Sequence, residues 1–238
     1  MIIFNNLGHT FKPATDSSPI VWVDSSDAST YTLSGSDVLT LDNKGTLGGA
    51  MTLNGTVKFA NNGFESWSGS DYITRGLGEP FLPTNSFTVV TTFDLQDIFG
   101  SPSYPPNDDQ FISELLADNS NRTAVGHFGT SINSIAISNS SQSSNLDLLT
   151  IGLKTTIISY DLNTNTISSI NSVGNNMIFT SRTFNNTIDC EVNLLNSGIY
   201  PKTLGADNPL HEFRLYDRAF TLTQMQTFQT ELNNKYTP

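Results

Sequence analysis

The sequence is poor in charged residues, and above all in basic ones. Asp, Glu, Lys and Arg make up 14% of its 238 residues, against roughly 25% in an average soluble protein. Ser, Thr and Asn supply the missing polarity, which suits turns and strands better than helices. The 11 Lys and Arg residues stand against 22 Asp and Glu residues, so the formal net charge is −11. Because phosphate contacts need clustered basic side chains, we expect no nucleic-acid partner.

Cysteines and long apolar runs are also scarce. Cys190 is the only cysteine, which excludes a disulfide within the chain. Residues 1–9 contain no basic region, no adequate apolar run and no cleavage pattern, so we do not expect them to form a secretory signal. No stretch approaches the length of a membrane span. We therefore expect a protein that is made in a cytoplasm and leaves it, if at all, by lysis or as part of a particle.

Short apolar or alternating runs, separated by Gly, Asn, Ser and Pro clusters, fill most of the sequence from Ile20 onward. The clearest strand is segment 87–93, which is rich in β-branched and aromatic residues. Residues 155–162 and 166–173 predict a hairpin that turns at residues 163–165. Many short strands at this spacing indicate a β-sandwich.

The sequence divides into a short arm and one domain. Residues 1–18 lack clear periodicity and end in a cluster of Pro and Ser, which predicts an arm or linker that attaches the protein. Residues 19–238 are long enough for one large β domain with a substantial core, and too short to argue strongly for two.

One helix is predicted, near the end of the sequence. Its apolar residues recur at three- and four-residue steps and so form one stripe. The stripe consists of Leu222, Met225, Phe228 and Leu232. Thr221 followed by Gln224 fits a capping box at the start of the helix. The stripe must dock on an apolar surface, and we expect Phe228 to be its best-buried member.

Four segments resemble, in the same order, the motifs of one known family. Residues 20–30 (IVWVDSSDAST) are similar to the Trp-Leu-Asp-Ala-Ser-Asp opening of concanavalin A-like, laminin-G-like jelly-roll domains. Residues 64–73 (FESWSGSDYI) are similar to that family's Phe-x-Gly-x-x-Asp-Tyr-Ile strand, and segment 87–93 to the long strand that follows. Residues 210–220, followed by the helix, resemble its closing signature. Together the four segments span most of residues 20–236.

The resemblance implies an all-β fold: a two-sheet antiparallel jelly-roll sandwich with one short C-terminal α-helix. The family includes lectins, glucanases, adhesion modules and virion proteins of phages, so the fold alone does not fix the function. The sequence departs from the family pattern at residues 42–45. Relatives often show Trp-Asn-Asp-Lys-Ser-Gly there. This sequence has no tryptophan at that place, so the contacts that the tryptophan makes in relatives are absent.

The acidic residues do not match the catalytic pair of the family's glucanases. Those enzymes place nucleophile and acid on one strand face, and no Glu in this sequence is followed two residues later by Asp. Glu212 and Arg214 share a strand face, and we interpret them as a structural ion pair. The three histidines, His9, His127 and His211, lack the spacing of zinc ligands. We therefore predict that the protein is not an enzyme.

The candidate glycan-binding residues lie mainly in the proline-rich loop 99–109. This loop contains Tyr104, Asp108 and Asp109, and we add His127 because a histidine near a strand end can line a pocket. Sugar sites combine aromatic faces with polar side chains, which is the combination that these residues offer.

The candidate metal ligands are Asp24 and Asp27. They could hold a structural calcium ion, as some laminin-G-like domains do, or they could cap a turn. We favour the capping interpretation, and no other cofactor is expected.

Two functional hypotheses follow. The first is a non-catalytic virion protein of a tailed bacteriophage, either a capsid-decoration or a fibre subunit, located in the virion. Its lectin-like domain would face outward and hold weakly to a host-surface glycan, and residues 1–18 would contact other virion proteins. The class suggests a homo-oligomer, and a trimer if the protein is a fibre. The alternative is a carbohydrate-binding module of a bacterial surface or exported protein, located at the cell surface or outside the cell.

Overall fold

The structure is a computed structural model that describes residues 18–66, 72–74, 86–95, 110–118, 121–128, 132–139, 142–148, 152–173, 176–183 and 209–236. These residues form sixteen strands: β1 Val21–Asp24, β2 Tyr31–Ser34, β3 Asp37–Leu41, β4 Thr52–Asn54, β5 Val57–Ala60, β6 Gly63–Ser66, β7 Tyr72–Thr74, β8 Phe87–Leu95, β9 Gln110–Asp118, β10 Asn121–Phe128, β11 Ile132–Asn139, β12 Gln142–Leu148, β13 Gly152–Asp161, β14 Thr166–Val173, β15 Asn176–Thr183 and β16 Leu210–Tyr216. They also form a short 3-10 helix, Ala28–Thr30, and one α-helix, α1 Leu222–Tyr236.

Ten of the described strands form one large sheet. Its order is β15-β14-β13-β8-β16-β6-β5-β3-β2, and β1 also pairs with β16. A four-stranded sheet has the order β12-β11-β10-β9, and β4 pairs with β7. The strand pairs are antiparallel throughout the described part of the chain. The fold is therefore all-β and antiparallel with one C-terminal helix, and the predicted fold class is confirmed.

Strand β16 is the most enclosed strand of the large sheet. It pairs with β8 along one side and with β1 and β6 along the other. Each of its seven residues is buried. Strands with neighbours on both sides and covered faces are near-continuously hydrophobic as a rule, yet His211, Glu212 and Arg214 lie in this one. Their burial requires polar partners, which are described with the candidate site.

Side-chain alternation gives the large sheet two apolar faces. On one face, residues from many strands form the main core; its best-buried large members are Leu41, Phe64, Phe87, Phe93, Tyr160 and Phe213. On the other face, Val90, Ile157, Ile170 and Tyr216 pack with residues of α1 and with Phe220. The helix thus covers β13 and β14 on the face away from the main core.

Helix α1 begins as its sequence predicts. Gln224 Oε1 accepts a hydrogen bond from the Thr221 backbone N–H at 2.8 Å, and Thr221 Oγ1 accepts one from the Gln224 N–H at 3.3 Å. This reciprocal pair is the predicted capping box. Inside the helix, the Gln229 side-chain amide donates to the Thr155 carbonyl at 2.8 Å, which ties α1 to β13.

The apolar stripe of α1 is confirmed for three of its four predicted members. Met225, Phe228 and Leu232 are buried, whereas Leu222 is 40% exposed. The expectation that Phe228 is the best-buried member was wrong, since it is 5% exposed while Met225 and Leu232 are 0% exposed. The Phe228 ring packs on Phe220, with 5.1 Å between ring centroids. Phe220 is itself 5% exposed, so this pair lies closer to the surface than the rest of the stripe.

The strongest strand predictions are also confirmed. Segment 87–93 lies within β8, and the predicted hairpin is formed by β13 and β14 with a turn at residues 162–165. Asn165 has φ 49°, the left-handed conformation that asparagine tolerates well.

The predicted arm lies almost entirely outside the described residues and stays a prediction. Among the helices that are described, none has the length and apolar character needed to cross a bilayer.

Candidate functional site

Two polar regions lie on the helix-covered face of the large sheet. The first, the ionic cluster, consists of Asp24, Asp27, Lys44, Glu212, Arg214 and Lys235. The second, the groove, lies beyond the start of α1, beside the β13–β14 hairpin. The ionic cluster contains the candidate metal ligands and the ion pair that the sequence suggested.

The register of β1 against β16 creates the ionic cluster. Asp24 stands directly opposite Glu212, and Trp22 opposite Arg214. Lys235 near the end of α1 joins the two carboxylates: its Nζ donates to Asp24 Oδ2 at 3.0 Å and to Glu212 Oε2 at 2.9 Å. A basic residue in the last turn of a helix also complements the helix dipole. The cluster therefore fastens the C-terminal end of α1 to the first and last strands of the domain.

Glu212 is the centre of the ionic cluster, and its side chain is 0% exposed. It is paired with the Arg214 guanidinium, which confirms the ion pair predicted from the sequence. Trp22 Nε1 donates to Glu212 Oε1 at 2.8 Å, and the Tyr236 hydroxyl donates to Oε2 at 2.8 Å. Burial and the adjacent Glu212 carboxylate together raise the pKa of Tyr236 far above its usual range.

Trp22 fills the space between two cations. The Lys44 ammonium lies 4.0 Å from its ring centroid, and the Arg214 guanidinium carbon lies 4.6 Å from it. Such cation–π contacts contribute about 0.5–2 kcal/mol each, depending on solvent exposure. Burial disfavours the charged form of Arg214, but the Glu212 carboxylate outweighs burial, so the pKa of Arg214 is raised.

Asp24 and Asp27 both act as turn caps, as the favoured interpretation predicts. Asp24 Oδ1 accepts hydrogen bonds from the Ser26 N–H at 3.0 Å and the Ser26 hydroxyl at 2.6 Å. Asp27 Oδ1 accepts the corresponding bonds from Ser29 at 3.1 and 2.6 Å, and so caps the 3-10 helix. Lys44 Nζ lies 3.2 Å from Asp24 and 2.8 Å from Asp27.

These contacts hold both carboxyl groups in the ionised form. The hydrogen bonds from Lys44 and Ser29 lower the pKa of Asp27 to about 2. Burial opposes ionisation of Asp24, but the bonds from Ser26 and Lys235 outweigh it and lower the pKa of that group. In the described part of the chain, no three His, Cys, Asp or Glu side chains are grouped so that they could hold a metal ion. Calcium binding by Asp24 and Asp27 stays a prediction.

The ionic cluster does not provide a reaction site. Asp24 and Glu212 bring two carboxyl groups together, which is the composition of a glycosidase pair. However, the Asp24 side chain is 5% exposed and that of Glu212 is 0% exposed, so a sugar cannot reach them. Three carboxylates and three cations balance in charge. Such a network is costly to break, because each lost partner leaves a buried charge unpaired.

The groove has a volume of about 600 Å³ and lies where three segments meet: the outer face of β13 and β14, their connecting turn, and the corner between β16 and α1. Most of its lining side chains are hydroxyl-bearing, acidic or amide residues. The described lining comprises Ser86, Ser159, Asp161, Asn163, Thr164, Thr166, Ser168, Asp217, Arg218, Ala219, Phe220, Thr221 and Leu222.

Two hydroxyl groups fix the corner that forms one wall of the groove. Thr88 Oγ1 donates to the Arg218 carbonyl at 2.8 Å and accepts from the Phe220 N–H at 3.1 Å. Ser159 Oγ accepts from the same N–H at 2.7 Å. Because Thr88 and Ser159 lie on neighbouring central strands and are buried, the corner is positioned by the rigid part of the sheet.

The β13–β14 turn forms the opposite wall. Asp161 Oδ1 accepts a hydrogen bond from the Asn163 N–H at 3.0 Å, and Oδ2 accepts one from the Thr164 hydroxyl at 3.0 Å. Asn163 and Thr164 are exposed. The turn is thus internally braced while its polar side chains face solvent, a usual arrangement for binding loops on a rigid scaffold.

Arg218 carries the one cation among the described lining residues of the groove. Its guanidinium carbon lies 5.2 Å from the centroid of the Phe220 ring. Within the described structure, its Nε and Nη2 atoms are buried and have no hydrogen-bond partner. Both nitrogens therefore retain their capacity to donate a hydrogen bond. Leu222, 40% exposed, adds an apolar edge to the groove.

The predicted glycan-binding residues are not part of the groove. Tyr104, Asp108 and Asp109 lie outside the described residues. His127 lies in β10, where its backbone stands opposite Gln110 and Asn133; its side chain is not among those that the structure describes. None of these four predictions is tested by the structure.

Parts of the groove are predictable from the sequence, but only as local structure. The sequence predicts a hairpin at residues 155–173, and residues 210–220 resemble the family's closing signature. Nothing in either segment signals that the other is nearby, since Asp161 and Asp217 are separated by more than fifty positions. The sequence does contain one indication of the groove. Both β13 and β14 carry several Ser and Thr residues, whose hydroxyl groups a strand does not need when it only fills a core.

Comparisons with known proteins identify the fold. No protein-family model matches the chain, and no curated protein matches it. The binding domain of Paraclostridial Mosquitocidal Protein 1 is similar over 91% of this chain and 53% of its own, with a TM-score of 0.61 and 9% identity. The Botulinum Neurotoxin Type G receptor binding domain is similar over 91% of this chain and 52% of its own, with a TM-score of 0.55 and 13% identity.

A third solved structure matches almost end to end. It is domain 4 of AbnA, a GH43 extracellular arabinanase from Geobacillus stearothermophilus, in complex with arabinotriose; the similarity covers 90% of this chain and 98% of that domain, with a TM-score of 0.53 and 13% identity. The present chain thus spans about half the length of the first two binding domains and nearly all of the third. At these identities the similarity establishes the fold alone, and the chain shares the β-sandwich fold of these three domains.

Proposed function

We propose that this protein is a non-catalytic carbohydrate-binding module and that the groove is its binding site. The observation that carries the proposal is the composition of the groove: carboxylate, amide, guanidinium and hydroxyl groups from three segments surround a volume of about 600 Å³. Binding sites for small ligands combine a concave shape with a few convergent polar groups. A sugar presents hydroxyl groups that donate to carboxylates and accept from amide and guanidinium groups.

The fold supports the same proposal. Domain 4 of AbnA, which shares the fold over nearly its whole length, was solved in complex with arabinotriose. The non-catalytic assignment is supported by the burial of Glu212 and by its fixed partners, which leave that carboxylate no role as an acid or a nucleophile.

The binding proposal is tested by titrating the purified protein with a panel of neutral oligosaccharides and following the heat of binding. Asp217→Ala and Asn163→Ala remove exposed polar groups of the groove, and we expect each to weaken binding about tenfold, the loss of one charge-assisted or good neutral hydrogen bond. Asp42→Ala is the matched control, because Asp42 is an exposed aspartate far along the sheet from the groove.

The same titration distinguishes the groove from the loop predicted first. Tyr104→Ala would abolish binding if the glycan were held by Tyr104, Asp108, Asp109 and His127. Equal affinity in the two groove variants and the wild type, with loss only in Tyr104→Ala, would move the site to that loop. Absence of binding to every oligosaccharide and to a broader glycan array would refute the proposed function.

The virion role stays a prediction from the sequence, together with its partner contacts through residues 1–18, its homo-oligomeric state and its location in a particle. A sugar-binding module displayed on a tailed bacteriophage is compatible with the proposed function, and so is a module of a bacterial surface or exported protein. Mass spectrometry of purified phage particles separates the two: the virion hypothesis requires peptides of this chain in the particle.

A further inference from the structure

The outer face of β14 and β15 continues the floor of the groove. Thr166 and Ser168, which line the groove, pair across the strands with Thr183 and Ser181. The hydroxyl oxygens of each pair lie 3.0 Å apart. Thr183 and Ser181 are both exposed. Two rows of hydroxyl groups therefore lead from the groove onto the open surface of β15, the edge strand of the large sheet as described.

An aromatic ring stands directly beyond these hydroxyl rows. In the β14–β15 register, the next pair on the same face after Ser168 and Ser181 is Ile170 and Phe179. Ile170 is buried beneath α1, whereas Phe179 is 43% exposed. Two residues along a strand correspond to about 7 Å, so Phe179 is within reach of a linear ligand that starts in the groove. A single exposed apolar side chain is ordinary on a protein surface; what distinguishes Phe179 is its position, directly after the two hydroxyl pairs on the same face.

The chemistry of this surface favours a neutral ligand. Among the described residues that line the groove, Asp161 and Asp217 oppose the single cation of Arg218, and the whole chain has a formal charge of −11. A polyanionic sugar would be repelled by this surface. Hydroxyl side chains and an aromatic ring instead match the hydroxyl groups and the apolar ring face of an uncharged sugar.

We propose that the β14–β15 face is an extension of the groove that binds the further residues of a linear, uncharged oligosaccharide, with Phe179 as the stacking platform for the distal sugar. This inference rests on the proposed function of the groove. It adds the class of ligand, the direction in which the ligand runs along the sheet, and the ligand length needed to reach Phe179. A disaccharide occupies the groove alone, whereas a longer oligosaccharide also reaches Phe179.

The test compares ligand lengths in the wild type, Phe179→Ala and Phe179→Trp. Linear neutral arabino-, xylo-, cello- and malto-oligosaccharides of two to six residues are titrated calorimetrically, and oligogalacturonides serve as the anionic series. We expect wild-type affinity to rise with length. Phe179→Ala should weaken the longer ligands about tenfold and leave the disaccharide unchanged, while Phe179→Trp retains or strengthens the long-ligand affinity. Leu39→Ala is the matched control, because Leu39 is 59% exposed on β3 near the opposite edge of the sheet.

The two proposals fail in different ways. If Asp217→Ala weakens binding but affinity is independent of length and unaffected by Phe179→Ala, the extension is wrong and the groove proposal stands. Tighter binding of oligogalacturonides than of the neutral series would also overturn the inference. If the wild type binds none of these ligands and no member of a broader glycan array, the proposed function fails and the inference fails with it. Binding to other glycans of the array alone would overturn the inference and leave the proposed function standing.

Discussion

At the scale of single residues, the loop at 42–49 shows how a departure from the family pattern is accommodated. Asn43 is buried and makes four hydrogen bonds: Oδ1 accepts from the N–H groups of Trp22 and Gly45, both at 2.8 Å, and the amide nitrogen donates to the carbonyls of Ile20 and Gly48. One side chain therefore fixes both the loop and the entry to β1. From the sequence we could state only that a tryptophan was absent here, because two of the four partners, Trp22 and Ile20, lie more than twenty residues from Asn43.

Gly45 is the residue of this loop that admits no side chain. A Cβ atom at this position would lie 2.3 Å from the Ile20 carbonyl oxygen and 2.6 Å from the Val21 nitrogen. Both are backbone atoms, so the strand itself would have to shift. We predict that Gly45→Ala lowers the free energy of unfolding by about 3 kcal/mol, measured by urea denaturation. Thr46→Ala, at the exposed next position, should change it by less than about 0.5 kcal/mol, and similar values for the two variants would show that the loop relaxes freely.

At the scale of elements, helix α1 is held by its docked face. Phe228 contacts Phe220 and Tyr216, with ring centroids 5.1 and 5.6 Å apart. We predict that Phe228→Ala lowers the free energy of unfolding by about 3–5 kcal/mol. Leu222→Ala, on the same stripe but 40% exposed, should cost less than about 1 kcal/mol. Chemical denaturation followed by tryptophan fluorescence measures both, and an equal loss would show that the docked face is not what holds the helix.

Elements whose partners are near in sequence were predictable, and those with distant partners were not. The capping box at Thr221 and the hairpin turn at Asn165 depend on residues within four positions, so residue type alone specifies them. The burial of Leu222 was predicted wrongly by its membership of the stripe, because the stripe says which face docks but not how far the underlying sheet extends. The apolar surface of β13 and β14 does not extend as far as Leu222, which lies instead at the edge of the polar groove.

At the scale of the whole molecule, stability should depend on pH through His211. This side chain is 8% exposed, and its Nδ1 lies 3.0 Å from the Asn62 carbonyl oxygen. Burial lowers its pKa below the ordinary value of 6.5, despite that hydrogen bond. Below pH 6.5 the unfolded chain therefore takes up a proton on this ring more readily than the folded chain does. The free energy of unfolding falls as the pH falls through this range.

We predict that the melting temperature of the wild type declines between pH 7 and pH 5.5 and that His211→Gln flattens this decline. Glutamine keeps a hydrogen-bonding group at the position but does not titrate. Calorimetric melting curves over this pH range measure both proteins. An unchanged slope in His211→Gln would assign the decline to another group. The carboxylates contribute at lower pH, since the pKa of Asp27 is held at about 2 and its stabilising effect is lost only between about pH 4 and pH 2.

The arrangement of both polar regions is a property of the whole molecule and could not be predicted from the sequence. From the sequence, Asp24 could be paired only with its neighbour Asp27 and Glu212 only with Arg214, because only the register of β1 against β16 places Asp24 opposite Glu212. The groove likewise needs Asp161 and Asp217 from segments that meet through the sheet. Strand order and register follow from many distant contacts at once, and none of these has a local signature.

The pairing of β1 with β16 also governs how the protein can be made. Trp22 and Glu212, which share a hydrogen bond, are separated by 190 residues. At about 5–20 residues per second of translation, the ribosome needs roughly 10–40 seconds to deliver the partner of β1. During that interval the buried residues of β1 have no strand to pair with, so the growing chain must stay soluble with its first strand unpaired. A low charge content of 14% offers little protection, and the yield of folded protein should therefore respond to translation rate and to chaperones that shield early strands.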